Sequence, residues 1–166
     1  MRDGHCVHGM AVSMMGQSMT ETLTHIRLSW HEIETDCRQL AQDLRDCGPF
    51  DGIVAVTRGG LVPAGLLAAL LDVRLIDTIC ASSYHDTQAG EVTLLKSLTG
   101  DGAGWLIVDD LVDSGATLRV IRQGLPHATY ATLYAKPNGA ADADRYVRQY
   151  AQSDWLVFPW ELDPVV

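Results

Sequence analysis

Three aspartates crowd one short stretch of the chain, in LIVDDLVDSGAT at 106–117. Asp109 and Asp110 follow directly on an apolar run, Asp113 comes three residues later, and small and hydroxyl residues close the segment. Carboxylates this close raise one another's pKa unless a cation or hydrogen-bond donors sit among them. The residues after Asp113 offer a different chemistry. Ser114, Gly115, Ala116 and Thr117 fall at a predicted helix start, where unpaired backbone N–H groups face outward with the helix dipole behind them. That turn is a phosphate cradle made mostly of backbone, with two hydroxyls as further donors. Asp109 and Asp110, just upstream, are placed for vicinal hydroxyls and a hard divalent cation. A sugar phosphate with two free hydroxyls, bound with a metal, satisfies all of these groups at once.

Two further places carry charge where the pattern turns. Arg58-Gly59-Gly60 follows the apolar run IVAVT (53–57), and Lys136 follows ATYATLYA (128–135). Only two lysines occur, Lys96 and Lys136, so each needs a reason.

The elements that must position these groups are legible. Ser29-Trp30-His31-Glu32 is a capping box opening a helix, with Ile33, Cys37, Leu40, Ala41 and Leu44 at helical spacing and Gly48-Pro49 as its stop. IVAVT reads as a strand buried on both faces of a parallel sheet. Pro63 suits a first helical turn, and AGLLAALL continues a buried helix. Strands are predicted at 73–82, 104–110, 128–135 and 154–160, and a helix at 116–125. VTLLKSL is a short strand closing a ribbon, and 138–149 is polar and partly helical. Strands alternating with helices give an α/β fold, a mostly parallel central sheet flanked by helices. In such folds ligands bind at the carboxyl ends of the strands, so the turns after Thr57, Val108, Ala135 and Trp155 share one rim.

Composition excludes several classes. The chain has 166 residues, 47% of them apolar, and a formal net charge of −9. It reads as one folded domain with no basic surface for nucleic acid. None of the four cysteines forms a CxxC pair or a zinc spacing. Cys37 and Cys47, placed in one helix, lie about 15 Å apart, too far to bridge, which points to a reducing, cytoplasmic setting. No apolar run is long enough for an integral membrane segment. Residues 1–22 read as a leader outside the fold, which occupies 23–166.

VDDLVDSGAT resembles the signature that binds 5-phosphoribosyl-1-pyrophosphate (PRPP) in type I phosphoribosyltransferases. Its companions VTRGGLVPAGLLA, SSYHDTQ, LYAKPNG and DWLVFPWE, in this order and spacing, resemble the bacterial xanthine-guanine branch, so the resemblance covers roughly residues 26–161. It implies the type I phosphoribosyltransferase fold with a flexible hood loop. It also implies transfer of the phosphoribosyl group from PRPP to N9 of xanthine, guanine or hypoxanthine, with Mg2+ as cofactor. Arg58, Gly59 and Gly60 are then the pyrophosphate loop, a turn in which the family often has a non-proline cis peptide. Asp109, Asp110, Leu111, Val112 and Ser114 through Thr117 bind PRPP, with Asp110 the metal contact and Asp109 on the ribose. Asp113 is the general acid/base at purine N7, a role it can share with capping the helix. Lys136 donates to the purine O6, Trp155 stacks on the base, and Leu156 presents backbone groups to the 2-position. Ser82, Ser83 and Tyr84 form the hood that excludes water. The resemblance further implies a homotetramer and, for some relatives, a peripheral place at the inner membrane.

The sequence departs from its relatives in two places. The hood has Ala89-Gly90 where a basic residue is expected, and the chain ends soon after Pro164. Rival readings fare less well. A P-loop needs GxxxxGK[ST], which is absent. A response-regulator receiver needs its acidic pair early and a lone phosphoacceptor aspartate between that pair and the lysine. A PRPP-binding regulator that kept the fold without the catalysis is the alternative of another class; such a sensor has no use for Asp113, Lys136 and Trp155.

Overall fold

In the computed structural model, residues 24–83 and 92–162 are described. They form β1 (His25–Arg27), α1 (Trp30–Asp43), β2 (Gly52–Thr57), α2 (Leu61–Leu71), β3 (Ile76–Ser83) and β4 (Val92–Lys96). β5 (Trp105–Val112), α3 (Ala116–Gly124), β6 (Thr129–Ala135), β7 (Arg145–Gln149) and β8 (Trp155–Val157) follow. Six strands make the central sheet in the order β4-β3-β2-β5-β6-β7. All neighbours are parallel except β3 and β4, which pair antiparallel.

Alternation along the strands builds a core on each face. Ile53 and Ala55 of β2, with Leu106 and Val108 of β5, pack under α1 and α2. Val54, Val56 and Ile107 turn the other way, onto Leu118 and Ile121 of α3. Strands buried on both sides carry continuous apolar runs for this reason. β2 and β5 are adjacent, yet the helices that follow them lie on opposite faces, so the sheet's switch point falls between these two strands. The turns after β2 and β5 flank the crevice where α/β sheets bind ligands.

The capping box forms as expected, with the Glu32 N–H donating to Ser29 Oγ at 3.2 Å and the Ser29 N–H to Glu32 Oε2 at 2.8 Å. Three expectations need correcting. α1 ends at Asp43, and Cys47 lies in a separate 3-10 turn, Arg45–Cys47; Cys37, Cys47 and Cys80 are free thiols. The polar segment 138–149 holds one 3-10 turn, Ala140–Asp142, and then β7, the edge strand of the main sheet. The strand at 154–160 shrinks to Trp155–Val157, which leaves the main sheet and pairs in parallel with β1. Tyr84, the Ala89-Gly90 departure, the 1–22 leader and the chain end beyond Leu162 lie outside the described residues. Among the described residues no helix is long and apolar enough to cross a membrane.

One buried carboxylate lies away from the crevice. Asp36 on α1 is 2% exposed, accepting from Tyr134 Oη on β6 at 2.8 Å and from the Arg148 guanidinium on β7 at 2.6 Å. A charge so placed is tolerated because donors replace its water. The contact locks α1 to the far side of the sheet.

Candidate active site

Three hollows lie side by side along the carboxyl ends of β2, β5 and β6. The largest, a cleft of about 560 Å³, is lined by Arg58, Gly59, Asp110, Trp160, Glu161 and Leu162. A second, lined by Asp109 and the turn from Leu111 to Leu118, is the cradle predicted from the sequence. The third, about 230 Å³, gathers Asp110, Leu111, Asp113, Lys136, Trp155, Leu156, Phe158 and Glu161. Asp110 and Glu161 are shared between the first and third, and Asp113 between the second and third, so the hollows are neighbours with common walls.

The turn after β2 admits little but glycine. A Cβ on Gly59 would overlap the Asp110 carboxylate, and one on Gly60 would run into the Val108 and Val56 carbonyls. Bare backbone therefore sits against the acids, with Arg58 exposed beside it. The Thr57–Arg58 peptide is cis, one bond before the Arg58-Gly59 link.

The acidic pair lies in a half-buried stretch of β5. Burial pushes the Asp109 carboxyl well above the usual range, and the neighbouring Asp110 charge pushes it the same way. Asp110 is raised to about 6, chiefly by burial, with Glu161 adding to the effect. Among the described residues neither acid has a cationic partner within ion-pair distance. A hard divalent cation fits this donor set, because its charge would offset the burial and repulsion that raise the two pKa values. No cluster of three or more His, Cys, Asp or Glu residues suited to a metal exists among the described residues. A cation here would complete its oxygen shell with water or with a bound substrate.

Gly115 sits at the N-cap of α3 with φ 77°, a left-handed conformation that suits glycine. A Cβ there would also strike the Asp142 carboxylate, which pairs with Arg119 of α3 behind the turn. The cap position belongs to Gly115, so the helix-capping role for Asp113 does not hold. The Asp113 side chain turns instead toward β6, where Lys136 Nζ donates to its Oδ2 at 3.0 Å. Lys136 is 5% exposed, an ammonium nearly removed from water with a carboxylate partner. The Lys136 N–H donates to the Val112 carbonyl at 2.9 Å, tying the lysine's loop to the end of β5.

Trp155 is half exposed at the mouth of the third hollow, and Leu156 is buried beneath it. β1 holds both through the His25–Trp155 and Ile26–Leu156 pairings. Lys136, Asp113, Trp155 and Leu156 thus converge from β6, β5 and β8. The hood segment stands apart at the end of β3, where Ser82 and Ser83 pair with Thr93 and Val92 of β4.

Two residues escaped the sequence reading. Glu161 lines the first and third hollows, its carboxylate accepting from the Phe158 N–H at 3.1 Å. Gln152 donates to Asp113 Oδ1 at 2.5 Å. Both are common polar residues in loops, and only through-space proximity marks them.

Fold and site together define a phosphoribosyl transferase domain, whose family model matches residues 28–165, and the chain belongs to that family. Within it the chain stands among the xanthine-guanine phosphoribosyltransferases. That of Desulfotalea psychrophila is 47% identical over 137 residues, covering 82% of this chain and 86% of its own. That of Chromohalobacter salexigens is 48% identical, covering 81% and 83%. Among solved structures, a purine phosphoribosyltransferase from Pyrococcus horikoshii superposes with TM-score 0.73 at 31% identity, covering 86% of this chain and 97% of that one. The chain is an enzyme, a transferase.

Proposed function

We propose that the protein transfers the 5-phosphoribosyl group of PRPP to N9 of a 6-oxopurine (xanthine, guanine or hypoxanthine), releasing pyrophosphate and returning free bases to nucleotides. The observation that carries this reading is the ion pair between buried Lys136 and exposed Asp113, in a pocket that shares Asp113 with the phosphate cradle. In the reaction the bond from ribose C1 to the pyrophosphate oxygen breaks and the C1–N9 bond forms. The purine proton leaves through N7, and pyrophosphate departs with the electron pair. C–O cleavage runs ahead of N–C formation, so positive charge gathers on the ribose ring, as in glycoside chemistry.

The residues divide this work. Leu111, Val112 and the Ser114–Thr117 turn seat the 5-phosphate on backbone N–H groups and two hydroxyls. Arg58 and the Gly59-Gly60 backbone receive the pyrophosphate, where charge grows as the bond breaks. Asp109 holds the ribose hydroxyls, and Asp110 is the protein's contact to magnesium, with Glu161 close by. A magnesium ion held at Asp110 would supply positive charge to offset the charge that grows on the leaving group. Asp113, as a carboxylate, accepts the proton at N7. Trp155 stacks on the base and Leu156 lines its 2-position side. Ser82 and Ser83, at the end of β3, lead into the hood that the resemblance assigns to this stretch. A tetramer working in the cytoplasm completes the proposal.

Lys136 is the specificity element. An ammonium donates three hydrogen bonds and accepts none. It satisfies a purine O6 but meets the amino group of adenine donor to donor, a mismatch able to discriminate on the order of 10³-fold. The test measures nucleotide and pyrophosphate from PRPP, magnesium and each base. Guanine and xanthine should react well and adenine hardly at all, and Lys136→Gln should narrow that gap because an amide also accepts. Binding of PRPP without turnover on any base would refute the transferase reading for purines. Unchanged kcat/KM ratios in Lys136→Gln would remove the lysine from base recognition.

A further inference from the structure

We infer that Gln152 is a positioning residue that orients the Asp113 carboxylate for proton transfer, an inference resting on the acid/base reading of Asp113. The amide of Gln152 is bound at both ends. Its Oε1 accepts from the Asn138 N–H at 3.1 Å, and its Nε2 donates to Asp113 Oδ1 at 2.5 Å. The backbone donor fixes which end of the amide is oxygen, so the NH2 must point at the carboxylate. Lys136 takes the other oxygen, Oδ2, at 3.0 Å. Asp113 is therefore held by one donor on each oxygen, and its plane is set by groups from two different loops. Without such a pair a carboxylate rotates freely about its last torsion.

The mount behind Gln152 is short and cross-braced. The Tyr150 N–H donates to the Ala135 carbonyl at 3.0 Å, the last residue of β6 before Lys136. The Ala151 N–H donates to Asp154 Oδ2 at 2.9 Å, and the Asp154 N–H to the Ala151 carbonyl at 3.1 Å, closing a turn with Gln152 on it. Trp155 follows directly on that turn, its N–H donating to the Thr24 carbonyl at 2.8 Å. One loop thus carries both the base-stacking ring and the amide that aims the acid/base. A catalytic group gains from supports of this kind, because small misalignments of a proton acceptor cost rate rather than binding.

Gln152→Glu separates positioning from scaffolding. The glutamate keeps the length and the oxygen that accepts from Asn138, and replaces only the donor facing Asp113 with an acceptor. Steady-state kinetics on the full chain with PRPP, magnesium and guanine should show kcat reduced about 10-fold or more, part of the 10²–10⁴ that general acid–base catalysis supplies. KM for PRPP and Tm should stay at the wild-type values. Gln152→Ala, which loses both bonds, should fall between wild type and Gln152→Glu in kcat. If Gln152→Glu turns over like wild type, or loses kcat only together with Tm and PRPP affinity, the positioning role is wrong. Asp113→Asn run alongside tells the two failures apart: it should lose roughly 10²-fold or more in kcat, and wild-type turnover in that variant would overturn the reading of Asp113 itself.

Discussion

Two sets of acids, one on α1 and one on β5, are treated in opposite ways. Asp36 is almost fully sealed, yet both its oxygens are claimed, one by the Tyr134 hydroxyl and one by Arg148. Burial and the bond to Asp36 push the Tyr134 hydroxyl pKa up, so it stays a donor. Asp109 and Asp110 are less enclosed, but among the described residues no cation pairs with them, and their own pKa values rise instead. A buried charge whose partners are supplied by the fold is architecture. A buried charge left wanting a cation is a place prepared for something that arrives later.

That contrast breaks most visibly at the acidic pair. Asp109→Asn combined with Asp110→Asn should abolish magnesium-dependent PRPP binding and raise the Tm of the ligand-free protein, because a repelling pair is removed. Calorimetry with PRPP and magnesium, beside a thermal melt, checks both; retained affinity would mean the pair does not serve the sugar or the metal. The opposite outcome is expected at the other acid. Asp36→Ala strands the Tyr134 hydroxyl in the core and should cost roughly 1–3 kcal/mol, lowering Tm by about 5 °C while KM for PRPP stays put. Arg148, partly exposed, recovers water and adds little. A variant melting like wild type would make Asp36 a passenger.

The smallest effect is a pH dependence. Asp110 has its pKa raised to about 6 by burial. The folded protein then holds this proton more tightly than the unfolded chain, so the group's contribution to stability is full below about pH 4 and is lost as pH rises through 6. The Tm advantage of the double asparagine variant over wild type should therefore grow between pH 4 and pH 7 in the ligand-free state. A constant difference would mean the carboxyls are not protonated in this range.

Much of this was written in the sequence because local rules decide it. IVAVT and WLIV are short apolar runs bounded by turn signals, the pattern of inner strands, and the Ser29–Glu32 box names its helix start without help from the rest of the fold. The cradle at Ser114–Thr117 was legible for the same reason, since small residues after an acidic strand end have few other uses. β7 was not legible. RYVRQ at 145–149 lies at the sheet edge with its residues half-buried or exposed, so no apolar alternation announces it. β8 pairs with β1 over only three residues each, too short for periodicity. The capping role weighed for Asp113 failed because Gly115, two residues on, supplies the left-handed turn that the helix entry needs. Gln152 and Glu161 act through space across loops, and spacing along the chain says nothing about them.

The β1–β8 ribbon carries a lesson for handling the protein. Three residues near the start of the described chain, His25 to Arg27, hold Trp155 and Leu156 in register, and the Thr24 carbonyl and Leu28 N–H close the ribbon at either end. The two ends of the domain are therefore neighbours in space, and the base pocket belongs to the seam between them. A cut or fusion joint that intrudes past Thr24 would leave the phosphate cradle on its own strand and helix while unmooring the ring that faces the purine. The boundary for any shortened or tagged form is thus set by the pocket's far wall rather than by the first helix.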